Sequence, residues 1–266
     1  MTQFHLKFTK GNITVNNKDA FIQKSHIARL VREMDPDSFL HLFLPGLETG
    51  ITRIEKERVE HVTQNGTAYS VAGTKIGPLV PSMRTREDSD ATDTKDYIRK
   101  VLALDYKSYR NPDTYLERNI YLLWQVPELV HFESLEEGMH DLDGLIYRDV
   151  QQAASEHSRD VLQQPSQLAT KLRDIVLCID EAEWSRDHID GYVTPFIKSI
   201  FSKPKASPPA SQQVWGFHFL RWVLAGLRPG PALIPTLELL GREETVKRVE
   251  QAIEVASRWE KRQGQE

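Results

Sequence analysis

The stretch MRTREDSDATDTK, residues 83–95, divides the chain. It is polar and charged with no apolar anchor, so it is read as a flexible loop and subdomain boundary. Before it, apolar residues alternate with polar ones between turn signals; after it, they recur almost wholly at helical spacing. The division expected is an α/β hairpin-containing subdomain at 1–82, the polar loop at 83–95 and a helical subdomain at 96–262.

On the N-terminal side, Phe4, Leu6 and Phe8 alternate, Lys10-Gly11 turns, and Ile13 and Val15 alternate again, which predicts a hairpin. A helix follows over 19–34. Asp35 is a good N-cap and Pro36 suits a first helical turn, so a short helix runs through Phe39, Leu40 and Phe43 until Pro45-Gly46 stops it. Asn65-Gly66, whose residues both tolerate positive φ, predicts a second hairpin over about 52–72 with Val62 opposite Tyr69.

On the C-terminal side, Tyr97, Ile98, Val101, Leu102 and Leu104 mark one helix, and Asn111 caps another that carries Tyr115 to Trp124. Further helices are predicted at about 141–162, 166–183 and 190–202. SKPKASPPASQQ (202–213) reads as a Pro/Ser loop without periodicity. An apolar helix spans Trp215 to Leu227, a Pro-broken apolar run reaches Leu240, and an amphipathic helix ends the chain. That last helix mixes Arg and Lys with Glu on its polar face, read as solvated and laced by i,i+4 pairs. The fold class is α+β, mostly α: N-terminal β-hairpins with short helices packed beside a C-terminal helical bundle.

Bulk composition, 39% hydrophobic and 27% charged, is that of a globular chain. Lys+Arg 34 against Asp+Glu 38 gives a net charge of −4, so bulk charge lends no strong nucleic-acid signal. No secretory signal and no transmembrane segment is read, and the lone Cys178 cannot make an internal disulfide. The expected address is cytoplasmic, with the nucleus left open.

The chemistry-bearing residues are few. Cys178 lies in an apolar stretch with no adjacent base and reads as a small core residue. His140-Asp141, with His131 and His157 nearby, resembles the ligand set of a His-Asp metal-dependent hydrolase, although the flanking glycines and carboxylates read more simply as an acidic helix start. No phosphate-binding loop, nucleophile elbow or zinc-protease motif occurs, and no cofactor is expected. The segment Trp215 to Leu224 is the most aromatic in the chain and reads either as a core helix or as an exposed docking helix.

With no catalytic signature, the reading carried forward is a protein-interaction or regulatory protein that docks through Trp215, Phe219, Trp222 and Trp259. Its partner would be another protein or a second copy, with a membrane surface left open. Two alternatives stand beside it. One is a metal-assisted hydrolase using His131, His140, Asp141 and His157; the other is a membrane-active or pore-forming protein.

Overall fold

The computed structural model describes residues 26, 29, 30, 33–83, 92–126, 165–200 and 209–263, leaving aside the side chains of 36, 92, 93, 199, 200, 209–215 and 263. It is mostly helical, with one small antiparallel sheet. In chain order the elements are α1 (Pro36–Asn65), β1 (Tyr69–Val71), β2 (Thr74–Ile76), α2 (Thr92–Asp105), α3 (Pro112–Arg118), α4 (Ile120–Leu123), α5 (Pro165–Leu177), α6 (Arg186–Ile200), α7 (Pro209–Ala225) and α8 (Leu233–Gln263). Short 3-10 turns lie at Pro81–Met83, Tyr106–Ser108 and Glu181–Glu183. The hairpin expected at residues 4–15, most of the helix at 19–34 and the helix at 141–162 lie outside the described residues.

Helix α1 begins as expected: the Asp35 carboxylate accepts the Ser38 amide at 2.9 Å, and Pro36 opens the first turn. It does not stop at Pro45. Leu40, Leu44, Leu47, Ile51 and Ile54 are all buried at spacings of three and four, so one apolar stripe continues past the proline. Pro45 is exposed, which leaves the acceptor it orphans near solvent. Gly46 and Gly50 let another helix approach this face closely. A Cβ at Gly50 would stand 2.6 Å from Leu116 Cδ1, and one at Gly46 3.0 Å from Pro112 Cγ.

The hairpin expected over 52–72 is corrected by the same helix. Residues 52–65 are helical, stitched on the outside by Arg53–Glu57 and Lys56–Glu60 ion pairs. Gly66 uses its positive φ of 65° as a left-handed C-cap, donating its amide to the Val62 carbonyl at 2.9 Å. The actual hairpin turns one step later, at Ala72 (φ 48°) and Gly73 (φ 78°), pairing Val71 with Thr74 and Tyr69 with Ile76. Tyr69 donates to Glu57 of α1 at 2.5 Å, which seats the sheet on that helix.

Downstream, Asn111 caps α3 by accepting the Thr114 amide at 2.9 Å. The single helix expected through Trp124 is broken at Asn119 into α3 and α4. Beyond α4, residues 123–125 pair with 77–80 through Val80 N–H to Leu123 O at 3.0 Å and Gln125 N–H to Pro78 O at 2.9 Å.

The expected helix at 166–183 ends at Leu177, and part of the expected Pro/Ser loop, from Pro209, is helical. Helix α8 kinks at Gly241 (φ 79°), where Ser82 Oγ donates to the freed Leu240 carbonyl at 2.6 Å. Helices α5 and α8 run antiparallel and are clamped at both ends. Glu260 accepts from Ser166 N–H at 3.0 Å and Oγ at 2.6 Å at the start of α5. Arg242 donates to the Leu177 and Ile179 carbonyls at its end. An anion thus sits at the helix N-terminus and a cation at its C-terminus, each opposing the local dipole charge.

One hydrophobic core runs from Phe39 to Ala256 and joins residues from both sides of the expected boundary. Among the described residues, no helix is long and apolar enough to cross a membrane.

Candidate functional site

The aromatic residues expected to dock do not share an outer face. Phe219 and Trp222 are 0% exposed, with ring centroids 5.8 Å apart inside the core. Trp259 is half-buried against that core, and the Trp215 side chain lies outside the description. The described part of α7 is therefore a core helix, because its hydrophobic residues cover almost its whole circumference. His131, His140, Asp141 and His157 lie outside the described residues. Among those described, no three His, Cys, Asp or Glu side chains are placed to hold a metal. Cys178 is exposed, not buried as its apolar neighbours suggest. The buried face of α5 is Ala169, Leu172 and Val176, and Cys178 follows its last turn.

Helix α7 also carries His218. Its Nε2 is enclosed and makes no hydrogen bond among the described residues. Burial, with the Arg221 charge nearby, brings its pKa down from 6.5 to about 4. The native imidazole therefore stays neutral while the unfolded one takes up a proton, so its stabilising contribution is present above pH 6.5 and is lost as pH falls toward 4. We expect Tm to decline across that window and His218→Leu to flatten the decline. Melting curves from pH 7 to 4.5 check this, and an unchanged slope in the variant would assign the acid sensitivity elsewhere.

Among the described residues, one feature with chemical potential is a cleft of about 580 Å³ between the hairpin, the α2–α3 connection and the turn after α7. Lys107, Arg110, Arg118 and Arg228 line it, with Ser108, Tyr109, Thr114 and Pro229, and Glu117 is the one carboxylate among the lining residues. Three of the cations have a local partner. Lys107 lies 5.9 Å from the centre of the Tyr106 ring. Arg118 is aimed by Asp105, whose Oδ2 takes its Nε–H at 3.0 Å and also accepts from Asn119 Nδ2 at 3.2 Å. Tyr109 is held protonated, its pKa pushed up to about 12 by burial and then by Asp113.

Arg228 arrives on a turn that the chain holds in an unusual shape. Gly226 (φ 55°) and Leu227 (φ 63°) are both left-handed, a conformation a leucine rarely adopts. Arg221 fixes that turn by donating to the Arg228 carbonyl at 3.2 Å and the Pro231 carbonyl at 2.7 Å. The Arg228 guanidinium then points across to Thr74 of the hairpin, donating to its hydroxyl. Lys107, Arg110 and Arg118 lie within one short segment and Arg228 more than a hundred residues beyond it, so no linear motif announces the set. The nearest sequence signal is Lys107-Ser108-Tyr109-Arg110, basic residues interleaved with a tyrosine.

Comparison with known proteins adds an independent line. Residues 132–253 match the family model described as an anticodon binding domain, just under half of the chain. No curated protein matches the sequence. A solved glutamate tRNA ligase from Elizabethkingia meningosepticum, in complex with its amino acid, aligns at 13% identity and a TM-score of 0.45. The alignment covers 90% of this chain and 32% of that one, so the chain corresponds to about a third of its length. Likeness at that level determines neither fold nor function.

The anticodon-binding match overturns the reading of this chain as a regulatory protein that docks on other proteins. It likewise overturns the metal-assisted hydrolase and the membrane-active alternative. It also corrects the inference of no strong nucleic-acid signal, since an anticodon is RNA. Net charge averages the whole surface, whereas phosphate contacts need only a local cationic excess.

Proposed function

We propose that this protein binds tRNA, contacting the anticodon through the segment at 132–253 and drawing the sugar-phosphate backbone by the cationic cleft. The observation that carries the reading is the match of that segment to the anticodon-binding model. The cleft supports it: four cations and one carboxylate line a concavity large enough for a nucleotide unit. A tRNA-binding chain works where translation takes place, and we assign it to the cytoplasm.

The test is fluorescence anisotropy of labelled tRNA with the whole chain over 50–200 mM salt. Affinity is expected to fall linearly in log salt. Lys107→Gln with Arg110→Gln should weaken binding about tenfold or more and shallow the slope by about 2. Failure of the unaltered protein to bind tRNA at micromolar concentration and low salt would sink the proposal.

A further inference from the structure

We propose that Arg118 and Arg228 form a discrete oxyanion seat in the cleft, holding one phosphate group in a fixed position. The assignment of that phosphate to a bound RNA rests on the function proposed above; the seat itself rests on the following geometry.

Arg228 is half-buried, yet among the described residues its guanidinium makes no ion pair and donates only to the neutral Thr74 hydroxyl. A charge removed from water is costly unless another group neutralises it, and here burial lowers the arginine's pKa. Arg118 is held differently. Asp105 occupies its Nε edge and leaves the terminal nitrogens without a partner among the described residues. The carboxylate that orients Arg118 is itself fixed, accepting from Ser108 and Asn119. One arginine is thus aimed and the other unneutralised, and both line the same cavity.

The backbone supports a dedicated role for Arg228. Left-handed Leu227 is strained, and such strain is retained where the surroundings over-determine a position. Arg221 supplies that constraint by bonding the turn on both sides of Pro229. Exposed Lys107 and Arg110 complete the lining. Asp105 already pairs with Arg118, so the excess in the lining is Lys107, Arg110 and Arg228 against Glu117, and guanidinium forks match the oxygens of a phosphate.

The experiment is thermal unfolding of the whole chain in sodium phosphate, in sodium dimethyl phosphate, and in sodium chloride at matched ionic strength. Specific occupancy is expected to raise Tm by about 3–5 °C above chloride when the anion reaches ten times its Kd. Arg228→Gln and Arg118→Gln should each remove the excess, and Arg228→Lys should keep part of it. Exposed Lys171→Gln should leave it unchanged. Melting in chloride shows that each variant folds. A response to the diester points to an internal backbone phosphate. A response confined to inorganic phosphate points to a terminal phosphate or a small phosphorylated ligand; either supports the seat. No excess in either salt, or an excess that survives both glutamine variants, overturns it. Measuring tRNA binding alongside separates the two claims, because tRNA bound without the anion response sinks the seat alone.

Discussion

Replacing Arg248 by methionine is expected to destabilise the protein by about 3–5 kcal/mol, the usual consequence of removing one partner of a buried pair. Arg248 and Glu244 are each 2% exposed and joined at 2.9 Å, one turn apart on α8. The same guanidinium donates to the Leu224 carbonyl at the end of α7 at 2.7 Å and to the Tyr121 carbonyl of α4 at 2.5 Å. One side chain therefore satisfies acceptors on three elements. Methionine fills much of the volume and forms none of these bonds. Glu244, with Oε2 already unpartnered, would be left as a buried carboxylate. A melting curve should show Tm lower by roughly 10 °C or more. Adding Glu244→Leu should recover part of the loss, because it removes the unpaired charge but leaves the two carbonyls unsatisfied. A single variant that melts like the unaltered protein would show that water reaches this node.

Trp222→Glu is expected to prevent folding outright. Trp222 is 0% exposed and ranks among the largest fully buried side chains. Truncating such a ring to alanine costs about 3–5 kcal/mol. Glutamate also places an ionised group inside the core, against a total stability of about 5–15 kcal/mol. Circular dichroism and limited proteolysis should report an unfolded chain for Trp222→Glu and a folded, weakened one for Trp222→Ala. Trp259→Glu, at a half-buried position, should cost less. A folded Trp222→Glu protein with native Tm would mean that the ring is not in the core.

Local chemistry was legible where a few neighbouring residues suffice. Asp35-Pro36 and Asn111-Pro112 were read as helix starts because capping involves only the next three residues. The kink at Gly241 falls where the Pro-broken apolar run gives way to the terminal amphipathic helix. Asn65-Gly66 was misread because a helix C-cap and a hairpin turn ask for the same positive φ. The choice belonged to the Leu40–Ile54 stripe, whose burial depends on α3 packing over Gly46 and Gly50. The terminal helix reads as a solvated polar face laced by i,i+4 pairs, yet the Glu244–Arg248 pair on it is buried. Its burial comes from neighbouring helices, among them α4 and α7, whose carbonyls accept from Arg248.

By itself the sequence determined a mostly helical α+β chain, the caps that begin α1 and α3, and the apolar periodicities of its helices. These follow from interactions within about a helical turn. Tertiary structure alone decided which aromatic residues are enclosed, which charges are buried, and that Lys107, Arg110, Arg118 and Arg228 line one cleft. Residues distant in sequence meet only when the packing of helices brings their surfaces together, and a cation's role depends on what then stands opposite it.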